Sequence, residues 1–223
     1  MRDDTSALST RRIMGDLIAA LSTLTCVRRI DSFGSVATGG ADQWSDLDLF
    51  VSCEAPERTA WLAAAAIRSS KPVAFYRTFA SVPQPSGRYW FDGESPFNRL
   101  DVSFCSPAEH EAVCRSGVNG GHPVTLHPEY VARLPADPSA DEGLRPPAGR
   151  VDVSPRETAI GRLLYIHLEA AKKQLRGQPT KRSVRETRAA LLEAVFAAPT
   201  TDRDSGVVRF ISTVDAFIQT ISP

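Results

Sequence analysis

The chain has 223 residues, 42% of them hydrophobic and 23% charged, with 26 basic residues set against 26 acidic ones. That profile suits a folded protein with one sizeable core, or a domain of about 130 residues plus a smaller second one. Zero formal net charge argues against a protein built to grip long nucleic acid, because neutralising phosphates calls for a basic excess.

From the start of the chain, residues 5 to 24 place Ile13, Leu17, Ile18, Leu21 and Leu24 at helical spacing. Residues 28 to 35 read as a strand running into a glycine turn at Gly34-Ser35, followed by a loop of small residues, Val36 to Asp42. Ser45-Asp46-Leu47-Asp48-Leu49-Phe50-Val51-Ser52 alternates acidic and apolar residues and then turns apolar. This predicts a strand with one buried face and one face carrying acids. Pro56 to Ser69 predicts a helix with proline in its first turn. Residues 73 to 80 and Arg88 to Phe91 read as the two arms of a hairpin around the Pro-Gln-Pro-Ser-Gly turn at 83 to 87. Arg99-Leu-Asp101-Val-Ser-Phe104 alternates again, and residues 106 to 115 suggest a short helix.

Residues 133–153 are rich in Pro, Ala, Asp and Gly and read as a linker or extended loop. Helical patterning resumes with Ser154-Pro155 and Glu157, a cap and first-turn signature. Helices are expected at about 155–176, 181–198 and 206–221. The chain therefore divides into residues 1–132, the linker, and a helical domain over 154–223.

The cysteines Cys26, Cys53, Cys105 and Cys114 lack CxxC spacing, which argues against a zinc site and reads as free thiols, as suits a reducing cytoplasm. No run approaches 18 apolar residues, and the acidic, polar start is followed by no apolar leader. Neither a membrane span nor a signal peptide is expected.

Three pieces carry the chemistry: Gly34-Ser35 at a strand end, Asp46-Leu-Asp48 eleven positions after Ser35, and Asp101 on a later alternating strand. Side chains two apart in a strand share a face, so two carboxylates there can converge on divalent ions. Magnesium takes oxygen ligands and is held by one or two carboxylates plus substrate phosphates. A third acid completes a two-metal site or serves as a base toward a hydroxyl. Glycine allows close backbone approach to phosphate, and the serine hydroxyl and nearby amides can bind its oxygens. A lone acid-x-acid pair is most often a surface feature. Acids inside an apolar strand are costly unless a metal or hydrogen bonds hold them, and that favours the functional reading.

At these residues the chain resembles the DNA polymerase beta-like nucleotidyltransferase superfamily, whose signature is Gly-Ser, a loop, acid-hydrophobic-acid in a strand and a third acid later. The layout is most similar to the bacterial antibiotic nucleotidyltransferases, the lincosamide and aminoglycoside enzymes among them. The resemblance implies an α+β fold, a mixed β-sheet flanked by helices, followed by a C-terminal helical domain. It implies Mg²⁺-dependent transfer of a nucleoside monophosphate, AMP from ATP as the first expectation, to a hydroxyl of a small molecule, releasing pyrophosphate. Asp46 and Asp48 would hold Mg²⁺ on the triphosphate. Asp101 would bind metal, contact the acceptor hydroxyl or act as base, and Gly34 and Ser35 would contact phosphates. Relatives often carry Lys or Arg in the loop over 37–44, where this chain has none. The basic stretch from Lys172 to Arg182 reads first as a solvated helix end; the sharper reading is that Lys173 or Lys172 is the cation that the helical domain brings to the triphosphate, as basic residues of relatives do. Homodimers occur among such relatives. Alternatives are a regulatory or antitoxin-like enzyme modifying a partner protein, or a silent nucleotide-binding relative.

The remaining candidates read as structural. The histidines His110, His122, His127 and His167 are dispersed, and Tyr89-Trp90-Phe91 reads as core, with ring stacking as the alternative, as for Tyr165.

Overall fold

A computed structural model describes residues 5–70, 73–78, 85–116, 124–125, 155–197 and 202–221. The linker over 133–153 lies outside the described residues, as do His122 and His127. Among the described residues no helix is long and apolar enough to cross a membrane. The fold is α+β, and the chain divides into two compact units, Met1–Gly93 with Asn98–Arg150, and Glu94–Phe97 with Val151–Pro223.

The first unit contains α1 (Thr5–Ser22), β1 (Val27–Phe33), α2 (Gly34–Ala37), β2 (Leu47–Cys53), α3 (Pro56–Ser70), β3 (Val73–Thr78), β4 (Ser86–Phe91), β5 (Leu100–Cys105), α4 (Pro107–Ser116) and β6 (Val124–Thr125). The six strands form one mixed sheet in the order β3-β4-β5-β2-β1-β6. β2 and β5 run parallel, with Asp48 opposite Asp101, while β1–β2 and β4–β5 are antiparallel.

Alternation sorts the side chains into two faces. Leu47, Leu49, Val51, Leu100, Val102 and Phe104 lie on one face and are buried against Leu17 and Leu21 of α1 and Ala63 and Ile67 of α3. Each fully buried aliphatic side chain here stabilises the fold by roughly 1.5–3 kcal/mol relative to exposure. The other face carries Asp48, Phe50 and Ser52 of β2 and Asp101 and Ser103 of β5. The pairings Asp31↔Phe50 and Phe33↔Asp48 add Asp31 and Phe33 to it, and the Phe33 and Phe50 rings meet at 4.7 Å. α4 packs against β2. Its start is capped reciprocally: Glu109 Oε2 accepts from the Ser106 N–H at 2.8 Å, and Ser106 Oγ accepts from the Glu109 N–H.

Three local features depart from the sequence reading. The glycine turn opens a four-residue helix, α2. Ser45 and Asp46 precede β2 instead of starting it. Asp42 holds that stretch as a turn, its Oδ1 accepting from the Trp44 N–H at 3.0 Å and the Ser45 hydroxyl at 2.9 Å. β6 pairs Val124 and Thr125 with β1, two residues too short to carry a readable alternation.

The second unit contains α5 (Pro155–Leu175), α6 (Val184–Phe196) and α7 (Asp202–Ile221). Ile160, Leu164, Leu168 and Ala171 form the buried stripe of α5, facing a core with Leu191, Val195, Ile211 and Val214. α6 starts on a capping box, Ser183 with Glu186. α7 begins four residues earlier than its apolar pattern suggests, because the stretch Asp202–Ser205 is polar and carries no periodic signal. Phe97 joins this unit by an edge-to-face contact with Phe217, centroids 5.8 Å apart.

Candidate active site

The acidic face of the sheet gathers the three carboxylates singled out above. Ligand oxygens of Asp46, Asp48 and Asp101 lie within 4.8 Å of one another. Asp48 and Asp101 arrive by register, as opposite partners on parallel strands. Asp46 arrives from the turn before β2, where the Leu47 N–H donates to the Arg99 carbonyl at 2.8 Å and ties that turn to the start of β5.

Two arginines, absent from the sequence-level site, complete the cluster. Arg99, 2% exposed, places Nη2 at 2.5 Å from Asp46 and Nε at 3.2 Å from Asp101. Arg88 donates Nε–H to the other oxygen of Asp101 at 2.7 Å. Such pairing is what makes a buried guanidinium and clustered carboxylates tolerable together. Asp46 and Asp101 remain 21% and 19% exposed, so the oxygens are open to an incoming cation. The available signal for Arg88 was cross-strand pairing with Asp101, which needs a strand register that no local pattern supplies. For Arg99 it was the two-residue spacing to Asp101.

Gly34 has a specific reason to be glycine. Its φ is +62°, and a Cβ there would stand 2.6 Å from Asp48 Oδ2. A side chain would therefore strain the backbone and push the carboxylate aside. Ser35 follows it, partly exposed, in α2.

Oxygen-only donors at this spacing fit a hard divalent cation such as magnesium, which would compete with the arginines for the carboxylates.

Lys173 lies in the helical unit. It lines a cavity of about 630 Å³ together with Arg162, Tyr165, Glu169, Lys181 and Arg182. Arg162, Ile166, Glu169 and Lys173 recur along one side of α5. Four cations against one acid suit an anionic ligand, and Tyr165, 41% exposed, offers a ring face. The neighbouring Lys172 is buried beside Glu169 at 3.7 Å, so the two lysines have separate roles. Tyr89, Trp90 and Phe91 are all buried, so no face of theirs is open to a ring ligand. His167 is buried with Nδ1 3.1 Å from the Thr187 hydroxyl, and burial holds its pKa below the ordinary value.

Residues 16–86 match the family model for the nucleotidyltransferase domain. No curated protein matches the chain. The matched span holds Gly34, Ser35, Asp46 and Asp48; Asp101 lies beyond it. Over those residues the chain is similar to that domain, and the match supports a nucleotidyltransferase enzyme.

Proposed function

We propose that this nucleotidyltransferase moves a nucleoside monophosphate, AMP from ATP first among them, to a hydroxyl of a small molecule, with antibiotics as leading acceptors. The reading rests on one observation: three carboxylates from β2, β5 and the turn before β2 converge within 4.8 Å, two of them inside residues 16–86, which match the domain family. Asp46 and Asp48 would hold Mg²⁺ against the triphosphate, with Asp101 as a further ligand or as the base. Bound there, the cation neutralises charge on the phosphates and the leaving pyrophosphate. The acceptor oxygen forms a bond to the α-phosphorus, the bond from that phosphorus to the bridging oxygen breaks, and pyrophosphate departs. The hydroxyl proton passes to Asp101 or to solvent. The Gly34-Ser35 amides and hydroxyl would contact phosphate oxygens. Lys173, in its basic cavity, would bind phosphate or an acidic group of a ligand.

On this reading residues 1–132 are the catalytic domain, 133–153 a linker and 154–223 a helical domain. The enzyme works in the cytoplasm, and a homodimer is compatible with it. The arginine pairing of Asp46 and Asp101 favours one rival, a silent relative that binds nucleotide without turnover.

The test is pyrophosphate release with ATP, GTP, CTP and UTP plus Mg²⁺ across aminoglycosides and lincosamides. Acceptor-dependent release that disappears in Asp46→Asn is the expected result. Nucleotide binding with no release on the whole panel points to a protein acceptor or to the silent rival. Absence of Mg²⁺-dependent nucleotide binding overturns the reading.

A further inference from the structure

A second cluster of ligating groups lies outside the acidic site. Asp31 of β1 is completely buried on the same sheet face as Asp48. His110 of α4 covers it, with Nε2 2.6 Å from Asp31 Oδ2. Arg29 Nε–H donates to the other oxygen of Asp31 at 2.9 Å. The opposite edge of the imidazole is turned elsewhere: Nδ1 lies 3.6 Å from the Sγ of Cys114, one helical turn along α4. Ligand atoms of all three residues fall within 4.8 Å of one another.

The imidazole orders this trio. The Nε2 edge of the ring is set against the Asp31 carboxylate as a close ion-pair contact, which leaves the Nδ1 edge facing the thiol. A carboxylate behind a histidine fixes the tautomer and raises the basicity of the other nitrogen, an arrangement recurrent behind metal-bound histidines. A tetrahedral zinc ion with N and S ligands at about 2.05 and 2.3 Å separates those two atoms by about 3.6 Å. The Nδ1–Sγ separation already has that value. Asp31 need not leave its place, because Arg29 balances its charge and His110 uses only its Oδ2. Cys114 is partly exposed, so a cation can reach Sγ and complete its shell with solvent.

We propose that His110 Nδ1 and Cys114 Sγ, oriented by Asp31, form a binding site for a thiophilic divalent cation, zinc foremost, separate from the oxygen-only acidic site. Binding forms an N–metal and an S–metal bond, and the thiol proton leaves to solvent. Scanning cysteine spacing alone misses such a site, since its elements are a histidine and a cysteine one turn apart and a strand aspartate far away in sequence. Among the other thiols, Cys53 and Cys105 are buried, which pushes each up to about 12, and Cys26 is the partly exposed competitor.

The test uses the reduced, metal-free full-length chain titrated with Co²⁺ and then Zn²⁺, without nucleotide, so it is independent of transfer activity. One Co²⁺ per chain should give a thiolate-to-cobalt charge-transfer band that Zn²⁺ displaces. The band should vanish in Cys114→Ser and His110→Ala and persist in Cys26→Ser and Asp48→Asn. Asp31→Asn should weaken binding by about 10–100-fold without changing its stoichiometry. Absence of the band in the unaltered chain, or its survival in Cys114→Ser, overturns the site and leaves the trio as a structural tie between α4 and the sheet. Cys114→Ser is nearly isosteric and partly exposed, so it carries the test even where His110→Ala fails to fold.

Discussion

Asp31 and Asp48 stand on the same face of one sheet, on adjacent strands, in opposite circumstances. Asp31 is sealed under α4 by His110 and Arg29. Burial alone would raise its carboxyl, but the His110 hydrogen bond, and then that from Arg29, hold it below its ordinary value. Asp48 lies beyond that cover, beside Asp46 and Asp101, where solvent reaches the oxygens. The two cases show one sheet face spending carboxylates on two tasks. Where a helix covers the face, the acid needs cationic partners to be tolerated. Where the face is open, three acids can be gathered with their ligand oxygens within 4.8 Å of one another, in reach of a cation.

That contrast breaks if the two aspartates respond alike. The largest effect should be Asp48→Asn, a loss of about 10³-fold or more in turnover with the melting temperature nearly unchanged; equal losses of activity and stability would contradict an open, functional acid. Asp31→Ala should do the reverse, costing about 3–5 kcal/mol of stability by stranding the buried His110 and the half-buried Arg29, read by denaturant titration of tryptophan fluorescence. Because the folded carboxyl sits below its ordinary value of 3.8, its contribution is present above that pH and is lost as pH falls through the folded value. An acid-unfolding profile identical in Asp31→Asn and the unaltered chain would remove this role. Gly34→Ala should cost about 1–3 kcal/mol from a strained positive φ and displace Asp48, so turnover should fall further than stability alone explains. The smallest effect is expected far from both clusters. Burial lowers the pKa of His167 from 6.5, so the unfolded chain binds the proton better and the helical unit should lose stability as pH drops below about 6.5. His167→Gln should flatten that slope in circular-dichroism melts at pH 7.5 and 5.5.

Legibility followed the range of the interactions. The alternation around Asp48 and Asp101 shows in neighbouring residues, because a strand with one buried face writes its period into the chain. The α5 stripe shows for the same reason, at helical period. Arg88 and Arg99 were hidden because their partners are set by strand pairing and by a turn. Asp31 was hidden too: nothing within β1 says that a helix about eighty residues later brings an imidazole to it. Gly34 was visible as a glycine, but its reason, the Asp48 carboxylate 2.6 Å from where a Cβ would be, belongs to the packed strands.

The sequence by itself determined the alternating strands, the amphipathic helices and the acid-x-acid spacing, all of which depend on contacts a few residues apart. Tertiary structure alone decided which carboxylates meet and which arginines hold them, which lysine of the 172–173 pair is exposed, and which acid is covered. Those outcomes depend on register and packing between segments distant in the chain, and no local period encodes them.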